Sequence, residues 1–152
     1  MLPTPTKFTL VVGSGEGDTR LTAFDKALLA AGIGNLNLVR VSSIVPPGAE
    51  YVEKLEIPPG SLTPTAYGVE VSDVEGELIA AAIGAGFSDE SFGMIMEFEG
   101  KCTKEEAEEK IRQMIREAFE ARGLQVRRMM VRGIEHRVKK VGCAFAGAAL
   151  WY

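Results

Sequence analysis

The chain has 152 residues, 46% of them apolar and 25% charged, which suits one globular domain with its own core. Its net charge of −4 argues against nucleic acid as the main partner, because phosphate binding needs a clustered cationic surface. Two cysteines are too few for a disulfide framework, and we find no secretory leader or membrane-spanning apolar run, so a cytoplasmic protein without a membrane partner is expected.

The first half of the chain predicts two strands and one helix before a long loop. Alternating β-forming residues indicate the strands, and capping residues with a terminal glycine indicate the helix. In chain order we expect a strand over 7–12, a glycine loop over 13–17, a helix from Asp18 or Thr19 to about Ala31, and a strand over 35–41. The stretch 46–64 contains five prolines and predicts an irregular loop, which in a compact domain is often functional.

The second half predicts four strands and two helices. Thr103 and Glu106 form a capping box that begins the clearest helix of the chain, and Gly123 ends it. Because several strands follow one another directly, we expect an α+β sandwich with mixed or antiparallel sheets. The remaining elements, in chain order, are a strand over 66–72, an alanine-rich helix over 75–83, and strands over 93–98, 126–134 and 138–151.

Two hydroxyl residues, Ser42 and Ser43, stand side by side where the second strand ends, shortly before Pro46 and Pro47. One interpretation is ordinary turn chemistry, in which the hydroxyls bond nearby backbone groups and the prolines stiffen the exit. The other is chemical, because a serine that follows a strained peptide bond can attack the preceding carbonyl. The octapeptide alone leaves both interpretations open.

Two carboxylates, Glu97 and Glu99, share one face of a strand whose other face carries Met96 and Phe98. Both carboxylates could simply face solvent. Alternatively, the apolar company of Glu97 raises the pKa of its carboxyl, so that it can act as a proton donor.

A third carboxylate, Asp25, follows Phe24 at the edge of the buried stripe of the first helix. One interpretation is that Asp25 lies on a solvated face. The other is that its carboxylate holds a guanidinium or ammonium group of a ligand by accepting hydrogen bonds from its N–H groups.

Other candidate sites fail on spacing. The segment Gly13–Asp18 ends in Asp18 where the dinucleotide-binding fingerprint needs glycine, so a nucleotide site is not predicted. His136 is the only histidine and the two cysteines are far apart in sequence, so we expect no metal site.

Several motifs occur in an order that resembles the pyruvoyl-dependent arginine decarboxylase family, from about Phe8 to Trp151. Separate motifs in one order are far more specific than any one alone. They are GSGEG (13–17), AFDKALL (23–29), AGIGNLNL (31–38), VSSIVPP (41–47), PTAYG (64–68), IMEFEGKC (95–102) and GCAFAGAALWY (142–152).

The resemblance implies decarboxylation of L-arginine to agmatine and CO2, through a Schiff base with a covalent pyruvoyl group and without metal or pyridoxal phosphate. It implies that the pyruvoyl group derives from Ser43 when the proenzyme cuts itself after Ser42, and that Asn37 is linked to this processing. The residues that match the family's other site positions are Glu97, as the proton donor, and Asp25, as the ligand of the substrate guanidinium.

The resemblance also implies one αββα domain over 1–152, cleaved into chains 1–42 and 43–152, and a homotrimer of cleaved protomers with active sites between subunits. Two alternatives stay open at this point. The chain could be a pyruvoyl-dependent decarboxylase of another amino acid, or a homologue that does not cleave and only binds a ligand.

Overall fold

The computed structural model describes residues 2–152, which form two helices and nine strands. The helices are α1 (Arg20–Ala31) and α2 (Lys104–Ala121). The strands are β1 (Lys7–Glu16), β2 (Asn37–Arg40), β3 (Ile44–Val45), β4 (Glu50–Tyr51), β5 (Leu62–Ser72), β6 (Leu78–Phe87), β7 (Gly93–Gly100), β8 (Arg128–Arg137) and β9 (Gly142–Trp151).

The strands form two sheets that pack face to face. The five-stranded sheet has the order β2-β5-β9-β1-β4, and the four-stranded sheet has the order β3-β7-β6-β8. All pairings are antiparallel except β1 with β4 and β2 with β5. Because α1 covers the outer face of the five-stranded sheet and α2 that of the four-stranded sheet, the predicted αββα sandwich is confirmed.

The main core lies between the two sheets and draws its apolar side chains from both. Alternate residues of β6 serve two cores, because this strand has the other sheet on one face and α2 on the other. β6 consists largely of alanine and glycine because little space remains on either face. For example, a Cβ at Gly84 would lie 2.4 Å from the Ile111 side chain of α2. The residues of β6 that face the other sheet are Ile79, Ala81, Ile83 and Ala85, and those that face α2 are Ala80 and Ala82.

The prediction of a helix over 75–83 is therefore wrong. Alanine favours helices in isolation, but tertiary packing decides this segment, because only small side chains fit a strand buried on both faces. The chain turns at Gly76 and enters β6 at Leu78.

The predicted glycine loop over 13–17 is also wrong in most of its length, because β1 continues to Glu16 and pairs with β9 throughout. Its glycines lie where α1 crosses the strand. A Cβ at Gly13 would lie 2.3 Å from the Ala27 carbonyl oxygen, and one at Gly15 would lie 2.7 Å from Lys26 Cβ. The glycines thus let the helix approach the backbone of the sheet closely.

The predicted helix ends are confirmed. The Thr19 hydroxyl accepts a hydrogen bond from the Thr22 N–H, and Gly32 ends α1 with a φ of 85°. Thr103 and Glu106 form the expected capping box of α2.

Candidate active site

The serine pair lies where the chain passes from one sheet to the other. β2 is an edge strand of the five-stranded sheet and β3 is an edge strand of the four-stranded sheet, so residues 41–43 bridge the side of the sandwich. On one side, the Val41 N–H donates to the Thr65 carbonyl at 3.1 Å, and on the other the Ile95 N–H donates to the Ser43 carbonyl at 2.7 Å. The Ser42–Ser43 peptide bond therefore lies between two backbone hydrogen bonds, one to each sheet, which we call its anchors.

The register of β3 with β7 brings Glu97 close to Ser43. Ile44 lies opposite Met94, and the bond from Ile95 to Ser43 continues this antiparallel pairing by one residue. Glu97 lies two residues beyond Ile95 on the same face, a diagonal relation that puts Cα atoms about 7–8 Å apart. The half-buried Ser43 and Glu97 therefore share the face that looks toward the five-stranded sheet.

Burial raises the pKa of the Glu97 carboxyl above its ordinary value. The nearby Glu99 carboxylate adds to the rise by repulsion, and the Arg40 guanidinium opposes it. A carboxyl with a raised pKa keeps its proton to higher pH, which is what a proton donor requires. The hypothesis that Glu97 occupies such an environment agrees with the structure.

A cavity of about 300 Å³ adjoins the two serines and is mostly apolar. It lies between the N-terminal segment, the end of β9 and the bridge between the sheets. Beside Ser42 and Ser43, its lining residues are Leu2, Pro3, Pro5, Val41, Ile44, Pro64, Leu150 and Tyr152.

The other two predicted site residues lie elsewhere in the single chain. Asp25 is exposed on α1, on the opposite side of the five-stranded sheet from Glu97. Asn37 is the first residue of β2, and the extended chain from it to Ser42 spans about 16 Å. Its side-chain amide donates a hydrogen bond to the Gly60 carbonyl at 2.9 Å. One chain thus brings Ser42, Ser43 and Glu97 together and leaves Asn37 and Asp25 apart from them.

Sequence reasoning missed a cation at this site. Arg40, the last residue of β2, donates through Nη2 to the Tyr67 carbonyl at 2.7 Å, and its guanidinium carbon lies 4.5 Å from the centre of the Tyr67 ring. Its position directly before the serine segment is the signal that could have pointed to it.

Sequence reasoning also gave Glu99 no role of its own. Glu99 is exposed overall, but its carboxylate rests against the backbone of Gly68, where an added Cβ would lie 2.8 Å from Oε2. The strand periodicity that placed Glu99 on the face of Glu97 was a signal for its proximity to that residue.

Within residues 2–152, no group of three or more histidine, cysteine or acidic side chains is arranged to hold a metal ion. His136 instead bonds the Glu16 carboxylate, which also accepts the N–H groups of Lys139 and Lys140. Neither helix of the described chain has the length and apolar character that crossing a membrane would require.

The fold and the grouping of a serine pair with a partly buried acid define a candidate enzyme of the α+β class. The model of the family described as pyruvoyl-dependent arginine decarboxylase (PvlArgDC) matches residues 7–152. The chain belongs to this family and is therefore a decarboxylating lyase, so the resemblance seen in the motifs is confirmed.

Curated relatives named pyruvoyl-dependent arginine decarboxylase cover nearly the whole chain. The protein of Methanocaldococcus jannaschii is 55% identical over 150 residues, which are 97% of this chain and 91% of the relative. A relative from Methanococcus maripaludis strain C5 is 47% identical over 97% of this chain and 92% of its own length. The Pyrococcus abyssi protein is 43% identical over 152 residues, 98% of this chain and 96% of the relative.

Proposed function

We propose that this chain decarboxylates L-arginine to agmatine and CO2 with a covalent pyruvoyl group that it makes from its own Ser43. The observation that carries the proposal is the Ser42–Ser43 bond, held between separate anchors on two sheets and close to the half-buried Glu97. Membership of the family supplies the cofactor class, and the names of the relatives supply the substrate.

The processing step uses only atoms of the chain and one water. Ser43 Oγ attacks the Ser42 carbonyl carbon, and the acyl group moves from nitrogen to oxygen, which replaces the amide by an ester. Elimination breaks the ester C–O bond, frees the Ser42 carboxylate and leaves dehydroalanine at position 43. Addition of water and loss of ammonia then give the pyruvoyl ketone. The products are chains 1–42 and 43–152.

The surroundings of Ser43 fit this group. The pyruvoyl group has a ketone oxygen in place of the amino nitrogen of serine and a methyl group in place of its hydroxymethyl group, so it needs no more room than Ser43 already has. The Ser43 carbonyl survives the reaction, and its bond from the Ile95 N–H would keep position 43 on β7 after cleavage. The bond from Val41 to Thr65 would hold the other new end on the five-stranded sheet.

In the working enzyme, the ketone supplies an electron sink by forming a Schiff base with the substrate α-amine. Glu97 returns a proton to the α-carbon after CO2 has left. Burial raises the pKa of its carboxyl, so Glu97 keeps that proton to higher pH than an exposed glutamate would. The cavity beside Ser43 offers a mostly apolar lining to the substrate.

Asp25 binds the substrate guanidinium and Asn37 assists processing, in a homotrimer whose active sites lie between subunits. Since one chain keeps both residues apart from Ser43, they act on the site of a neighbouring protomer. An exposed carboxylate such as Asp25 is free to meet a ligand held by a second subunit.

Mass spectrometry of purified protein tests the processing step. The unmodified chain should give two fragments, 1–42 and 43–152, the larger with a ketone in place of its N-terminal amine. Ser43→Ala should stay intact and inactive because it lacks the attacking oxygen. Ser42→Ala keeps both the carbonyl and the Ser43 hydroxyl, so it should still be cleaved. A single intact chain after prolonged incubation of the unmodified protein contradicts the proposal.

A further inference from the structure

One peptide unit of β5, Tyr67–Gly68, is approached by two opposite charges. The guanidinium of Arg40 is bonded to the Tyr67 carbonyl and stacked over the Tyr67 ring. The carboxylate of Glu99 rests against Gly68, in space that any larger residue at that position would fill. A cation from β2 and an anion from β7 therefore each contact the same peptide unit of β5.

This pair of charges lies next to Glu97. Glu99 is two residues along β7 and shares its face, and Arg40 is two residues before Ser42. Both act on the Glu97 carboxyl, with opposite signs: Glu99 repels its negative charge and Arg40 attracts it. Burial of the carboxyl acts in the same direction as Glu99 and raises its pKa.

The remaining groups around the cluster are few. Glu70 of β5 faces Glu99 and, after burial, is the next cause of the raised pKa of that carboxyl, while Arg40 lowers it. The residue that β6 places opposite Glu97 is the neutral Ile83. The carboxylates of α2, including Glu106, lie beside Phe98 on the other face of β7.

We propose that Arg40 and Glu99 are positioning residues that act as opposed charges on Glu97 and together set the pH range in which this acid holds the proton it donates. The inference rests on the proposed role of Glu97. Neither residue needs to touch the substrate. Arg40 keeps the acid from holding its proton too strongly to release it, and Glu99 keeps it from ionising too early.

A purely structural role for Arg40 is the alternative, and the chain contains a matched control for it. Beyond the end of β2, the carbonyl groups on this edge of β5 have no partner strand, and the Arg40 guanidinium donates a hydrogen bond to the carbonyl of Tyr67. Arg20 donates a hydrogen bond to the Val71 carbonyl on the same edge at 3.1 Å, but it is not among the charges that change the pKa of Glu97. Arg40→Met and Arg20→Met therefore remove the same type of backbone contact, and only the first removes a charge beside the acid.

The direct test is a titration of the Glu97 carboxyl by carbon-13 NMR in the uncleaved Ser43→Ala chain, with the signal assigned by its loss in Glu97→Gln. Arg40→Met should move the titration to higher pH and Glu99→Gln to lower pH. Arg40→Lys should restore most of the original value, and Arg20→Met should leave it in place. The shifts should shrink in high salt, because these charges are partly exposed.

The same variants without the Ser43→Ala change give the catalytic counterpart. Activity requires protonated Glu97, so kcat should fall as pH rises through the pKa of this group. Arg40→Met should raise kcat on that falling limb, and Glu99→Gln should lower it, each by about threefold or more at low salt.

Two results have different meanings. If the Glu97 titration fails to move in opposite directions, or moves equally in Arg20→Met, the inference about Arg40 and Glu99 is wrong. If the titration moves as expected and the kcat profile does not follow, the two charges act on Glu97 as proposed, and it is the proton-donor role of Glu97 that fails.

Discussion

Replacement of Glu97 by glutamine should separate processing from turnover. Glutamine has nearly the same shape and fits the same half-buried place on β7, but it has no acidic proton to return to the α-carbon. The proposed self-cleavage uses only Ser42 and Ser43, so the variant should still yield chains 1–42 and 43–152. Loss of a general acid typically lowers the rate by about 10²–10⁴-fold, which corresponds to about 2.7–5.5 kcal/mol of transition-state stabilisation.

The same substitution has a predictable effect on stability, because burial raises the pKa of Glu97 in the folded chain. A raised pKa means that the folded state binds the proton more tightly than the unfolded state, so the contribution of this group is favourable at low pH. That contribution is lost as pH rises through the folded-state pKa. Glu97→Gln does not ionise, so its melting temperature relative to the parent should increase as pH rises through that range.

The assay combines mass spectrometry of the chains, agmatine formation under steady-state conditions, and thermal unfolding of both proteins in the Ser43→Ala background. Glu90→Gln is the control, because it removes an exposed carboxylate from the β6–β7 hairpin. Cleaved Glu97→Gln with activity within a fewfold of the parent would refute the reasoning, since another group would then supply the proton.

Two further predictions concern Asp25 and the packing of α1. Asp25→Asn keeps the shape of the side chain but loses its charge, so steady-state kinetics should show a higher KM for arginine, with self-cleavage intact. Equal rates of the parent protein on arginine, lysine and ornithine would exclude a role of Asp25 as a guanidinium ligand. Gly13→Ala forces a methyl group against the Ala27 carbonyl and should lower the stability of the Ser43→Ala chain by about 1–3 kcal/mol in denaturant unfolding. Gly100→Ala, whose Cβ would meet its nearest neighbour at an ordinary 3.6 Å, should be close to neutral, and equal effects of the two would contradict the packing argument.

The features predicted well from the sequence were those with local causes. Capping residues and the glycines that follow helices fixed the ends of α1 and α2, and alternation identified the strands around Glu97. The serine pair drew attention because two hydroxyls at a strand end, followed by prolines, allow a chemical interpretation, and its role stays a prediction. The pKa of Glu97 is raised as predicted, but the cause is burial on the face toward the five-stranded sheet, because the apolar neighbours Met96 and Phe98 lie on the other face of β7.

The features missed have long-range causes. The alanines of β6 and the glycines of β1 are small because α2 and α1 lie over them, and a single segment cannot show what lies above it. Arg40 and Glu99 approach the same peptide unit of β5 only because β2 and β7, which belong to different sheets, reach the same side of the sandwich. The separation of Asp25 and Asn37 from Ser43 likewise depends on how whole layers are stacked.

If the chain is cleaved as proposed, the course of β1 through the fold has a consequence for the lifetime of the enzyme. β1 lies between β9 and β4 inside the five-stranded sheet, and it belongs, with α1 and β2, to the segment that the proposed cleavage would separate. An uncut chain can unfold and refold as one molecule. After the cut, β1 would have to find β9 again as a separate peptide, so recovery from denaturation would depend on concentration and compete with aggregation. Maturation would then be a one-way step, and the active enzyme would persist through slow unfolding rather than through repeated folding.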